Sequence, residues 1–408
     1  MNFQLESLES RQLLSGSPNI AADHTRLLFN QSQGATSAPQ WITLKNTGRK
    51  TLSLASISIG GADANQFGLN RKQMPASLLP GQSASLKVVF APTAAAVRAA
   101  TLDIASNDPD SPLVSIPLRG LGTAGQFGEA EPSLQRIMDT FQIPINVGDG
   151  NPATSLLDGP GASDEIAMPL LKKAGPGSVR LTLLAAFTWE FSPVADFGWY
   201  RAKGPVTERG LFTAPAGNSQ TVNPHVAGVT TFDPGTVNFG LYSHWPIENH
   251  GDVYSEDYLN TWDTSADNHH KVRFYPYKKS YGKVVPNTYV VVMEEGTNSD
   301  FQDAVLVIEN VTPYNTIFAP TNLAVTAVAP TSISLSWLDN SDNESNFVIE
   351  RSSKKSGTYS VIGTVPANTK VFTDTNLTPG TLYYYHVRGT SGATTSDISN
   401  RAAATTTH

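Results

Sequence analysis

Apolar residues in this chain recur mainly at every second position, in short runs divided by turn residues, and that period excludes most folds. Between Thr25 and Gly122 the runs fall at 27–30, 40–46, 52–59, 84–91, 100–106 and 114–118. Turn signals separate them, NTG at 46–48, PG at 80–81 and NDP at 107–109, at about the spacing of a β-sandwich. A period of two sends successive side chains to opposite faces of a strand, so each run offers one face to a core. Composition agrees. Charged residues make up 15% of the chain, against about 25% in a typical globular protein. The 32 glycines and 27 prolines suit many short strands joined by turns rather than helical bundles. With 408 residues, two to four domains are expected.

The same composition removes several function classes. A net charge of −7, a pI near 5.6 and no basic run longer than Lys278-Lys279 argue against a nucleic-acid binder. Cysteine is absent, so no disulfide, thiolate nucleophile or cysteine-held zinc is available. No segment approaches the roughly 20 apolar residues of a membrane-spanning helix.

Chemistry concentrates in residues 284–308, VVPNTYVVVMEEGTNSDFQDAVLVI. Residues 287–294 and 303–308 are apolar on both faces, the pattern of central strands. A hairpin loop of the longer kind joins them. That loop carries Glu294, Glu295, Asp300 and Asp303 within ten positions. From Val284 to Glu350 there are nine Asp or Glu and no Lys or Arg. Two carboxylates about 5 Å apart repel by roughly 3 kcal/mol at an effective dielectric near 20. Either the loop is fully solvated or a cation neutralises it. Hard oxygen ligands beside a turn glycine, Gly296, are what Ca²⁺ requires, at about 6–8 oxygens per ion. Alternation places Glu294 and Glu295 on opposite faces, so a simple strand makes only one of them a close ligand.

Several stretches resemble known families. Residues 8–16, LESRQLLSG, resemble the L-E-P-R-x-L-L-S-G leader of large modular exported proteins of one bacterial phylum, with Ser10 where that pattern has proline. Next come WITLKNTG at 41–48, ISIGGAD at 57–63, LPGQ at 79–82, VFAP at 89–92, SNDP at 106–109 and LRGLG at 118–122. This series resembles the choice-of-anchor D module, related to immunoglobulin-like domains of ciliary and spindle proteins, and implies a structural or adhesive spacer. Asp108 and Asp110 read as turn residues within it.

A glycine-rich joint at 123–131 precedes a helical spacing of Leu134, Ile137, Met138 and Phe141, read as one short amphipathic helix packed on a sheet. The loop at 148–163 offers Asp149 and Asp158 as weak oxygen ligands. Further strands are expected at 180–189, 196–200, 220–222, 229–232, 238–242 and 272–275. The order DFGWY (196–200), TFDPG (231–235), FGLYS (239–243), HHKVRFYP (269–276) and NSDFQD (298–303) resembles a calcium-associated β-sandwich of bacterial exported proteins. That family carries a D-[FY]-[NQ]-D signature, matched at every position by Asp300, Phe301, Gln302 and Asp303. The resemblance implies a structural or adhesive role and a ligand set of Glu294, Glu295, Asn298, Asp300 and Asp303, with Asp196 added.

The final 90 residues resemble a fibronectin type III domain. SISLSW at 332–337 points Ile333, Leu335 and Trp337 inward, and LTPGTLYYYHVR at 377–388 supplies a corner and a long strand. Tyr383 stands at the tyrosine-corner position. Asp339, Asp342 and Glu344 read as a solvated acidic loop, and His386 as a surface residue.

Catalytic constellations are weak. His244, His250, His269 and His270 lie among Asp252, Glu256, Asp263 and Asp267, but without H-E-x-x-H or another recognised ligand spacing, and no G-x-S-x-G elbow is present. A glycosidase pair depends on three-dimensional separation; Glu190 with Glu294 or Glu295 is the pair to test. Trp189, Trp199, Trp245 and Trp262 read as core residues, with stacking on sugar rings as the alternative.

The expected protein is therefore all-β, with three β-sandwiches in series, the middle one jelly-roll-like with one short helix. Its expected divisions are a leader or tail at 1–19, an immunoglobulin-like choice-of-anchor D domain at 20–123, the calcium-associated sandwich at 124–318 and the fibronectin type III domain at 319–408. The expected role is non-enzymatic: an exported or cell-surface structural or adhesive protein, Ca²⁺-stabilised in the middle, meeting a cell-surface protein or polysaccharide. The alternative is a carbohydrate-binding or carbohydrate-cleaving middle domain.

Overall fold

The computed structural model describes residues 16–408 apart from 73, 149–162, 167, 189–193, 203–205, 216, 246–250, 264–268, 297–299, 315–316, 318, 340, 342–343 and 397. The chain is nearly all β, built as several sandwich-like pairs of sheets. It divides into two compact units, one ending at Gln142 and the other starting at Ile143.

In the first unit a four-stranded sheet runs in the order Ile20–Ala22, Gln40–Asn46, Ser83–Phe90, Phe67–Asn70. It faces a five-stranded sheet of Leu27–Ser32, Leu113–Thr123, Val97–Ser106, Leu52–Gly60 and Ser77–Leu78. Leu27–Ser32 and Leu113–Thr123 pair in parallel. Alternate residues such as Ile42, Leu44, Leu86, Val88, Leu102 and Ile104 form one core. Asp108 is the expected turn residue: its Oδ1 accepts the Asp110 N–H at 2.9 Å. Its Oδ2 also accepts the Ile20 N–H at 2.9 Å, tying the first strand to the turn. The helix Leu134–Phe141, expected in the middle sandwich, belongs instead to the first unit: its apolar stripe of Leu134, Ile137, Met138 and Phe141 is buried against Val97–Ser106 and Leu113–Thr123. It ends at Gln142, which adopts the left-handed conformation (φ 59°) that closes many helices.

The second unit begins with a sandwich whose strand pairs are all antiparallel. One sheet follows the path Ala227–Gly228, Glu208–Pro215, Val194–Arg201, Phe239–His244, Leu171–Lys173, Val311–Pro313, with Val253–Tyr254 also paired to Phe239–His244. The other follows Gln220–Val222, Val179–Phe187, Ala304–Glu309, Val284–Met293, Val272–Lys278, with Thr231–Phe232 beside Val179–Phe187. Leu181, Leu183, Val291 and Leu306 from the second sheet meet Phe197, Trp199, Phe212 and Phe239 from the first. Phe197 stacks on Phe212 at 5.4 Å, and Trp199 on Phe232 at 5.2 Å. Trp199 and Trp245 thus fill the core, and Trp262 packs against it; Trp189 lies outside the described residues. Gly240 is required where it stands, because a Cβ there would sit 2.2 Å from the Tyr200 ring.

The rest of the unit is a smaller sandwich. Thr321–Val328, Ser332–Leu338 and Val371–Thr375 form one sheet. Ser360–Pro366, Asn346–Ser352, Leu382–Ser391 and Thr394–Thr395 form the other, with Ala402–Thr405 also on Leu382–Ser391. Ile333, Leu335 and Trp337 face inward as expected, joined by Phe347, Ile349, Tyr385 and Val387. The Tyr383 hydroxyl accepts the Thr378 N–H at 3.2 Å, completing the tyrosine corner. Two expectations are corrected here. His386 is only 6% exposed because Tyr359 covers its ring at 4.1 Å and Glu350 lies 3.1 Å from Nδ1. Asp339 and Glu344 are buried rather than solvated; Asp342 lies outside the described residues.

Candidate metal centre

The hairpin Val284–Met293 and Ala304–Glu309 pairs Thr288 with Glu309 through Met293 with Ala304. Its connecting loop therefore opens at Glu294 and closes at Asp303. Glu294, Asp300 and Asp303 each bring a carboxylate oxygen within 4.8 Å of the others. Glu294 is fully buried and Asp303 nearly so. Backbone donors fix the arrangement. Glu294 accepts the Gly296 N–H through Oε1 (2.8 Å) and the Phe301 N–H through Oε2 (3.0 Å). Asp303 accepts the Glu295 N–H at 2.7 Å, and Asp300 accepts from the Gln302 side-chain amide at 2.8 Å. Phe301 is in the left-handed region (φ 56°), which turns the loop back so that Asp300 meets the two strand ends.

At 4.8 Å, like charges repel by roughly 3 kcal/mol per pair at an effective dielectric near 20. Burial, with Glu294, Glu295 and Asp300 adding to it, pushes the Asp303 carboxyl well above the usual range. Either a proton on Asp303 or a cation relieves this repulsion. The donor set fits a hard cation: it is made of carboxylate oxygens, each with a lone pair left beyond the hydrogen bond it accepts.

The expected ligands do not all meet. Glu295 is buried and adds negative charge around Asp303 but lies outside the close trio. Asn298 falls outside the described residues. Asp196 belongs to the opposite sheet, across from His244 and Thr213, and is not one of the converging three. It joins a separate polar group there. His244 Nδ1 contacts Asp252, and the Tyr254 hydroxyl donates to Glu208 (2.5 Å) and lies 3.2 Å from Asp252. Burial raises the carboxyls of Asp196 and Glu208.

Cations near the acidic loop come from a distant part of the chain. Val272–Lys278 pairs with Val284–Met293, and the Glu294 N–H donates to the Lys271 carbonyl at 2.9 Å. The fully buried Lys271 ammonium donates to the Gly296 carbonyl at 2.5 Å and pairs with Asp263 at 2.8 Å. The Arg273 guanidinium lies 4.0 Å over the Phe301 ring, with its Nε 3.8 Å from Glu165. His270 bridges Glu165 (2.7 Å) and Asp257 (2.9 Å). Burial opposes its charge, yet Asp257 and Glu165 outweigh burial and raise its pKa well above the ordinary value. His244 and His270 thus hold carboxylate partners, while His250, Asp267 and Glu190 lie outside the described residues.

Modules of two recognised kinds flank this centre. Residues 318–405 match the fibronectin type III domain family, and residues 17–123 match the family described as Cep192 domain 4. The C-terminal module is thus a fibronectin type III domain and the N-terminal one is immunoglobulin-like; both kinds are typically non-catalytic. Among solved structures, a Fn3-like protein from Clostridium thermocellum is 29% identical, over 21% of this chain and 86% of its own, with a TM-score of 0.19. A myokine structure is 24% identical over 23% of this chain and 100% of its own, TM-score 0.21. A protein of unknown function from Porphyromonas gingivalis W83 is 22% identical over 27% of this chain and 50% of its own, TM-score 0.23. No curated protein matches the chain in sequence. Among the described residues, no helix is long and apolar enough to cross a membrane.

Proposed function

We propose that this is a non-enzymatic modular protein, exported or held at the cell surface, with a structural or adhesive role and a middle sandwich stabilised by Ca²⁺. One observation carries the cation: Glu294, Asp300 and Asp303 converge within 4.8 Å at a buried strand end. The D-[FY]-[NQ]-D match at 300–303 supports the calcium-associated reading. The ordered motifs from 41 to 122 support a choice-of-anchor D module, and the LESRQLLSG stretch supports export. Glu294, Asp300 and Asp303 hold the ion, Asn298 and Glu295 are secondary, and Asp196 serves the separate group on the other sheet. Calcium bound there cancels the repulsion between strand ends and fixes the loop.

The carbohydrate alternative has one feature of its own, the tyrosine and carboxyl cluster of Tyr242, Tyr254, Glu208 and Asp252. A single tyrosine hydroxyl reaches both carboxyls, and the Glu208 and Asp252 carboxyls also hydrogen-bond to each other, a closer approach than the roughly 5–9.5 Å of glycoside-cleaving pairs. Binding rather than cleavage is what this cluster would do, and a glycan array reads it directly.

Thermal unfolding of the intact chain in chelator and in millimolar Ca²⁺ tests the main reading. A ligand that binds only the native state must raise its transition, and extracellular calcium modules have dissociation constants of about 10⁻⁴–10⁻³ M. A middle transition unmoved at 10-fold the upper value (~10 mM) overturns it.

A further inference from the structure

We propose that Lys271 and Asp263 condense to an intramolecular side-chain amide, a covalent cross-link in the middle sandwich independent of any cation. The two groups meet at 2.8 Å with side chains 0% and 3% exposed. The distance is Nζ to Oδ2, so the reacting Cγ, at most one C–O bond farther, lies within about 4 Å of the nitrogen, close to the range from which attack proceeds. Three contacts hold the nitrogen in place: Asp263 itself, the Gly296 carbonyl at 2.5 Å and the face of Trp262 at 4.9 Å.

The backbones on either side are fixed as well. Asn260, fully buried, donates through Nδ2 to the carbonyls of Tyr254 (2.9 Å) and His269 (2.8 Å). Its Oδ1 accepts the Tyr254 N–H at 2.8 Å. One side chain thus ties the chain just before Asp263 to the chain just before Lys271. The Trp262 indole N–H donates to the Asp252 carbonyl at 3.1 Å, and the Lys271 carbonyl is held by Glu294. Neither reacting residue needs to move far. Such orientation supplies most of the advantage of an intramolecular reaction.

The reaction balances without an outside reagent. One ammonium proton passes to the Asp263 carboxylate, giving an amine facing a carboxylic acid. The Nζ–Cγ bond forms, a Cγ–O bond breaks, and the hydroxyl leaves as water with a second proton from nitrogen. Nothing is oxidised or reduced. The product replaces two buried charges, whose desolvation is costly, with a neutral amide, and the dry surroundings limit hydrolysis. In a chain without cysteine, this is a covalent link its side chains can make.

Mass spectrometry of the intact chain, followed by proteolysis under denaturing conditions, tests for the link. The expected peptide containing residues 263–271 is lighter by one water and resists trypsin after Lys271. Both signs disappear in K271R and D263A. A peptide of full sequence mass, cut normally after Lys271, overturns the proposal. So does a peptide lighter by one water that is still cut there and keeps its deficit in K271R, since that is a succinimide at Asp263. The wild-type peptide alone distinguishes linked from unlinked chain, so misfolding of a variant does not obscure the result. A calcium result of either sign leaves this readout untouched.

Discussion

Replacing Asp303 by asparagine is expected to shift the stability of the middle sandwich in opposite directions with and without calcium. In chelator, the Glu294, Asp300 and Asp303 oxygens stand within 4.8 Å, and each charged pair costs roughly 3 kcal/mol. Proton uptake by Asp303, whose carboxyl is pushed upward by burial and by Glu294, Glu295 and Asp300, is the way the native chain can limit that cost. Holding a proton at pH 7 costs about 1.4 kcal/mol for each pH unit above the ordinary Asp value, a ceiling of about 4 kcal/mol. Asparagine carries no charge to suppress, and its amide oxygen can still accept the Glu295 N–H. D303N should therefore be the more stable form in chelator by roughly 2–4 kcal/mol, or about 5–15 °C in a domain of this size. Calcium at 100 times its dissociation constant stabilises a native site by about 2.7 kcal/mol, and D303N should lose most of that gain. Differential scanning calorimetry on both proteins, in chelator and in calcium, reads the crossing. A D303N chain that melts at or below wild type in chelator refutes the repulsion argument. One that gains as much from calcium as wild type removes Asp303 from the ligand set.

Burial, with Asp339 adding to it, pushes Glu344 up to about 7. Its native form therefore binds a proton that the unfolded chain has already released, so stability falls as pH rises from about 4.5 to about 7 and then levels. E344Q should remove that slope and stabilise the chain at pH 8 by about 3 kcal/mol, read by denaturant midpoints across pH. His270 gives a slope of the same sign at higher pH: its raised pKa gives stability fully present below about pH 6.5 and lost as pH climbs through the native value. H270Q should flatten that alkaline arm, and an NMR titration of the ring that shows an ordinary pKa would contradict the bridge to Asp257 and Glu165. Y383F removes the oxygen that accepts the Thr378 N–H and should cost the fibronectin module about 1 kcal/mol, lowering the urea midpoint with no change in slope.

The strand pattern was readable wherever one face of a strand is buried and the other is wet. Gln40–Asn46 and Ser332–Leu338 alternate cleanly, and both were expected within a residue or two. Glu208–Pro215 was not. It begins with Glu208, Arg209 and Gly210, its register shifts between Phe197 and Gly198 of its partner, and only Phe212 and Ala214 are deeply buried. A short signal broken by a bulge and ended by proline does not stand out from a loop. The burial of Glu344 and His386 was hidden for another reason. Alternation tells which face a side chain takes, but not whether Tyr359 or Asn368 will lie across it.

The acidic loop was legible as a concentration of charge, but its neutralisation was not, because counting charges along the chain misses the sheet. Lys271 and Arg273 precede the loop by more than twenty positions, yet pairing of Val272–Lys278 with Val284–Met293 sets them one strand away. An absence of Lys and Arg between 284 and 350 therefore says little about the field at Asp303. What matters is where each cation is held. Lys271 is bound to Asp263 and the Gly296 carbonyl, and Arg273 lies on Phe301 near Glu165. Each thus brings a carboxylate of its own to the neighbourhood, and the trio at Glu294, Asp300 and Asp303 gains less relief than two added positive charges suggest. Strand register supplies the missing cations and assigns them other partners in the same stroke, which leaves the strand end open to a guest ion.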